Sequence, residues 1–230
     1  MVSKIMPVAE EFETIENPES GSKEIHFFFR KIGSTGIRAS TWNPCKDRNV
    51  KDLELHMCQI DEESLIEFVK KIPSTSLNYV SLMDCNVTER TALAMASIIP
   101  KTFLRTICLT SNNIGPKGAI ALADALRGSS VEDLLLSEND IGLEATQYLA
   151  QVLSEGSTSL KSLDLSKNNI SDAGATVLAK ALPHTRLEEL LLGMNKFTDV
   201  GVAEICKAAK STPTLVKFYL GGNDLTDASA

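Results

Sequence analysis

Large rings are scarce in this chain: eight Phe, three Tyr and one Trp among 230 residues. A core of this size without rings must be filled by aliphatic side chains, and Leu and Ala are abundant. A basic surplus is also missing. Thirty acidic residues against 23 Lys and Arg give a net charge of -7, which argues against nucleic-acid binding. Cysteine is sparse and unpaired in pattern. Cys45, Cys58, Cys85, Cys108 and Cys206 are odd in number and form no CxxC, which excludes a disulfide framework and points to a reducing, cytoplasmic compartment. No apolar run approaches the length of a membrane span. The first residues hold no signal-peptide core, since Glu10, Glu11 and Glu13 follow at once. No glycine-rich phosphate loop is present: Gly115, Gly118, Gly221 and Gly222 fall at repeat turns.

What the chain does have is a repeat. Seven segments share the pattern apolar-x-x-apolar-x-apolar-x-x-Asn/Cys-x-apolar. They start at Val50, Leu77, Leu104, Val131, Leu160, Leu187 and Leu215, at intervals of 27, 27, 27, 29, 27 and 28 residues. Such regularity over seven copies marks a solenoid. Within each segment apolar residues alternate as in a strand. A helical pattern follows. Four positions after the last apolar residue of the motif stands Ser64, Thr91, Gly118, Ala145, Gly174 or Gly201. Four further on stands Phe68, Met95, Leu122, Leu149, Leu178 or Ile205, and four beyond that Ile72, Ile99, Leu126, Leu153, Leu182 or Ala209. This spacing predicts one buried stripe per helix, with the small residue letting the helix start lie close to the strand layer. Asp61, Thr88, Ser171 and Thr198 are positioned to cap helices, Pro116 suits a first turn, and Pro73, Pro100, Gly128, Gly156, Pro183 and Pro213 end them.

This strand–turn–helix unit resembles the ribonuclease-inhibitor-type leucine-rich repeat, found in ribonuclease inhibitor, the sensing ends of NOD-like receptors and Ran GTPase-activating protein. The likeness covers residues 50–227. It implies an α/β fold: a right-handed solenoid forming a partial horseshoe, with parallel strands on the concave face and helices on the convex face. The difference between strand spacing and helix spacing gives about 20–25° of bend per repeat. The resemblance also implies that the column Cys58, Cys85, Asn112, Asn139, Asn168, Asn195 and Asn223 bonds the backbone of the adjacent turn. Ribonuclease inhibitor alternates Asn and Cys in this column; here the two Cys come first and five Asn follow. The expected organisation is a poorly ordered tail over residues 1–23, an N-terminal cap over 24–49 built as a hairpin with a turn at Gly33–Gly36, and a solenoid of seven repeats over 50–230, the last incomplete.

Chemistry is hard to find. His56, Cys58, Asp84 and Cys85 are the one set that stacked repeats could gather as metal ligands, and the plainer reading makes both Cys small fillers of the Asn column. No metal, cofactor or catalytic residue is expected. Binding residues belong on the variable strand positions that face into the arc. The third of these is Glu54, Ser81, Cys108, Leu135, Asp164, Leu191 and Tyr219 in successive repeats. Leu135, Leu191 and Tyr219 are apolar where an exposed sheet face would be polar, and Met194 and Val216 lie beside the last two. Nine acidic residues, including Glu132, Asp164 and Glu188, against five basic ones favour a partner with a basic or mixed surface. The expected function is a non-catalytic scaffold that binds a protein partner through the concave face at Leu135, Asp164, Leu191, Met194, Tyr219, Glu132 and Glu188. The alternative is a GTPase-activating protein like the Ran activator, with Arg105 as the one concave-face arginine.

Overall fold

The alternation of buried aliphatics builds one continuous sheet. The computed structural model describes residues 50–226, together with three strands upstream at residues 13–16, 23–28 and 31–32. The upstream strands are β1 (Glu13–Glu16), β2 (Lys23–Phe28) and β3 (Lys31–Ile32). The repeats then contribute β4 (Val50–His56), β6 (Tyr79–Met83), β7 (Thr106–Cys108), β8 (Asp133–Leu135), β9 (Ser162–Asp164), β10 (Glu189–Leu191) and β11 (Lys217–Tyr219). A two-residue strand β5 (Gln59–Ile60) pairs with β3. The main sheet runs β1-β2-β4-β6-β7-β8-β9-β10-β11, antiparallel between β1 and β2 and parallel elsewhere.

Each of the first six repeat strands leads into a helix: α1 (Glu62–Val69), α2 (Glu89–Ile98), α3 (Gly115–Ala125), α4 (Gly142–Ser154), α5 (Asp172–Ala181) and α6 (Asp199–Ala209). The order strand, helix, parallel strand gives right-handed crossovers and puts all helices on one side of the sheet. The protein is therefore an α/β leucine-rich repeat solenoid. The predicted stripe is the core: Phe68, Met95, Leu122, Leu149, Leu178 and Ile205 are buried against the strand leucines.

Several local expectations change. The small residues at the helix starts approach the preceding helix rather than the sheet. A Cβ on Gly118 would stand 3.0 Å from Ala92 Cβ and 2.7 Å from Ile114 Cγ2, so glycine here sets helix-to-helix spacing. Of the expected caps, Asp61 accepts from the Ser64 N–H and Thr198 from the Val200 N–H, but Thr88 and Ser171 make no such bond. At α6 the repeat before adds a second acceptor: Asp172 Oδ1 accepts from the N–H groups of Thr198 (2.8 Å) and Gly201 (3.0 Å). Gly128 and Gly156 take positive φ, +67° and +65°, and Pro73, Pro100 and Pro183 open short 3-10 turns that tighten the helix ends.

At the N-terminal side, β2 pairs in parallel with β4 and so extends the repeat sheet. Its antiparallel partner is β1, upstream, inside the stretch expected to be a poorly ordered tail. The expected pairing of β2 with a segment at 37–42 lies outside the described residues.

Candidate interaction face

The parallel register brings the third variable position of every repeat into one row. Glu54 pairs with Ser81, Ser81 with Cys108, Cys108 with Leu135, Leu135 with Asp164, Asp164 with Leu191 and Leu191 with Tyr219. Neighbours in this row are about 4.8 Å apart. The side chains alternate with fully buried leucines, such as Leu163 and Leu165 around Asp164, so the row lies on the concave face.

Its two halves differ. Ser81 and Cys108 are buried, 1% and 9% exposed, although small polar residues were expected to face solvent there. Larger neighbours explain it. The Ser81 Oγ lies 3.0 Å from His56 Nε2, and His56 also lies 3.7 Å from Glu54. Tyr79 is half-buried beside them, and burial together with the Glu54 charge pushes its phenol up to about 12. In the other half, Leu135 and Leu191 are half-buried, while Met194, Tyr219 and Val216 are 54%, 53% and 81% exposed.

The apolar end has a backbone floor. A Cβ on Gly193 would stand 2.5 Å from the Tyr219 ring, and one on Gly221 would stand 2.5 Å from its hydroxyl. The ring therefore lies down over both glycines. Met194 has φ +54°, in the left-handed corner that ends each strand, and its Cγ sits where a Gly222 Cβ would project. Sequence reasoning singled out Tyr219 and Met194 but not Gly193 and Gly221. The signal was present: the fourth variable position runs His56, Met83, Thr110, Ser137 and Ser166 before dropping to glycine in the tyrosine's own repeat and the one before it.

Charges on this face are largely matched within it. Glu132 accepts from Lys161 at 2.8 Å and also pairs with Arg105. The lysine hydrogen bond and the two positive charges hold its carboxyl below the usual range. Glu132 is thus not the free steering carboxylate expected from counting charges. Glu138 accepts from Ser111 and pairs with Lys167 at 3.3 Å; Glu189 pairs with Lys217 at 2.5 Å; Asp133 accepts from Thr106 at 2.7 Å. Glu188 is exposed on the margin of a groove of about 490 Å³ shared with Glu132, Lys161 and Arg186. Arg105, noted in the sequence as the one arginine of the concave face, pairs with Glu132.

Behind the face, the predicted Asn column is an inter-repeat ladder. Asn168 Oδ1 accepts from the N–H groups of Asn139 (2.9 Å) and Ile141 (3.3 Å), and its Nδ2 donates to the carbonyls of Leu136 (2.8 Å) and Ser166 (3.0 Å). Asn195 and Asn223 repeat this in the next two turns. The two Cys reproduce only the donor half: Cys85 Sγ donates to Leu55 O at 3.0 Å and Cys58 Sγ to His56 O at 3.4 Å. The contact with Cys58 and burial push the Cys85 thiol well up. Among the described residues no group of three or more His, Cys, Asp and Glu is arranged to hold a metal ion; His56 turns to Ser81 and Glu54, away from the metal set considered above.

Comparison with known proteins agrees with this periodicity. A family model described as "Leucine Rich repeat" matches residues 101–123 and 156–179, each a strand, an Asn corner and most of a helix. No curated protein matches the sequence. Among solved structures, an internalin (inlF) from Listeria monocytogenes str. 4b F2365 is similar, with a TM-score of 0.48 and 20% identity over 80% of this chain and 45% of that one. The chain thus spans less than half the length of that internalin. From the strand register, the Asn ladder and the matched segments, the protein is built of leucine-rich repeats.

Proposed function

We propose that the protein is a non-catalytic interaction scaffold that takes a protein partner on the C-terminal half of its concave face. One observation carries this: exposed Met194 and Tyr219 stand beside half-buried Leu191, held on a glycine floor, among charges most of which are paired within the sheet. Aromatic and aliphatic anchors that are pre-positioned lose little freedom on binding, and apolar clusters framed by polar groups mark contact surfaces. Leu135, Asp164, Glu132 and Glu188 belong to the same surface. We read the repeats as the ribonuclease-inhibitor type, supported by their period of 27–29 residues and a full helix in each of six. Cys58, Cys85, Cys108 and Cys206 are free thiols, which supports a cytoplasmic location, and no described helix is long and apolar enough to cross a membrane.

The test is quantitative capture. A partner isolated on the wild-type protein is titrated against the Leu191→Ala/Tyr219→Ala double variant. Affinity is expected to fall by about 30-fold, corresponding to about 2 kcal/mol. Unchanged affinity places the binding surface elsewhere.

A further inference from the structure

The row on the concave face contains one carboxylate that the fold does not neutralise. Asp164 sits between Leu135 and Leu191, in register with both. Its one side-chain contact is local: Oδ1 accepts from the Ser166 N–H at 2.8 Å. The two lysines that flank its strand are committed to the repeat before, Lys161 to Glu132 and Lys167 to Glu138. Glu132, Glu138 and Glu189 each have a cation within 4 Å and Asp133 has a hydroxyl, whereas among the described residues no cation stands that close to Asp164.

Any partner that covers Leu135, Leu191 and Tyr219 must also cover Asp164. Burying an unpaired carboxylate under an apolar surface costs several kcal/mol, so a purely apolar ligand is rejected. A basic side chain avoids that cost. Its aliphatic stem can lie on the flanking leucines while its charged end reaches the free Oδ2. Arg is the better fit, because its planar fork binds carboxylates with directional hydrogen bonds and sheds water more readily than an ammonium.

We propose that Asp164 is the specificity residue of this face, and that it selects a protein partner presenting one basic side chain, Arg by preference, next to an apolar residue that meets Leu191 and Tyr219. This rests on the reading of the concave face as a binding surface.

The test uses a phage-displayed random 12-residue peptide library, panned on the wild-type protein and then measured by fluorescence polarisation. Enriched peptides should carry Arg or Lys beside an apolar residue. Asp164→Asn keeps the acceptor for Ser166 N–H and should leave the thermal midpoint unmoved, yet weaken those peptides at least tenfold, as should Arg→Gln in the peptide. Pairing Asp164→Lys with a peptide Arg→Glu change should restore part of the loss. Peptides that depend on Leu191 and Tyr219 but lack a basic residue, or bind Asp164→Asn as well as wild type, overturn this inference and leave the binding face standing. If panning yields no peptide that depends on Leu191 and Tyr219, both readings fall.

Discussion

The first and the last repeats use the same positions of the fold in opposite ways. In the first two, the corner column is Cys, the row residue Ser81 is buried, and His56, Glu54 and Tyr79 interact among themselves. In the later repeats the column is Asn, every corner is tied to its neighbour, and the row carries half-buried Leu135 and Leu191 and exposed Tyr219. A thiol can donate one weak hydrogen bond but cannot replace the amide oxygen that accepts two backbone N–H groups. At the first corner, pairing of β5 with β3 engages the backbone beside Cys58 instead. The lesson is that one motif position serves two ends differently: polar contacts cover the row in the early repeats, and apolar side chains stand on it in the last two.

The largest expected effect tests the ladder. Asn168→Ala strands the N–H groups of Asn139 and Ile141 in a buried corner, while the Leu136 and Ser166 carbonyls keep a second donor, and should destabilise the protein by about 2–5 kcal/mol in urea unfolding. Cys85→Ala removes one weak donor and should cost about 1–2 kcal/mol. Equal losses would erase the distinction between the two kinds of corner. Next in size is the glycine floor. Gly193 does not have a positive φ, so Ala suits its backbone, but the new Cβ collides with the Tyr219 ring. Gly193→Ala should cost about 1–3 kcal/mol and expose the ring to tyrosine-specific quenchers; an unmoved midpoint and unchanged quenching would show that the ring is not seated there.

Two smaller effects concern protons. Tyr79 should ionise near pH 12, so alkaline titration followed by phenolate absorbance should lose its last step in Tyr79→Phe. Its folded pKa is raised, so this contribution to stability is present below pH 10 and lost as pH rises through about 12. Glu132 behaves oppositely. Its folded pKa lies below 4.5, so its contribution is present above that value and lost as pH falls through the folded pKa. Glu132→Gln should flatten a small part of the acid limb of the stability curve; an identical acid limb would mean that Arg105 and Lys161 do not hold the carboxylate.

Much of this was legible in the sequence because the repeat forces it. The strand leucines, the helix stripe and the Asn column each recur at a fixed interval, so a single register explains all seven copies. The row residues could be placed for the same reason. Exposure could not be read so directly. Ser81 and Cys108 look like surface residues until His56 and Tyr79 are packed around them, and Glu132 looks free until Arg105 and Lys161 reach it from flanking strands. Thr88 and Ser171 look like caps, yet neither makes a cap bond, and the Thr88 hydroxyl donates instead to Glu62 of the preceding repeat. These are contacts between repeats, set by side-chain length and rotamer rather than by position in the motif.

The central claim is that the binding surface lies on the C-terminal half of the concave row. It is tested most directly by titrating one captured partner against two double variants, Leu191→Ala/Tyr219→Ala and His56→Ala/Ser81→Ala. The account predicts a loss of about 30-fold for the first and less than threefold for the second. A larger loss from the His56/Ser81 pair, or no loss from Leu191 and Tyr219, would contradict it.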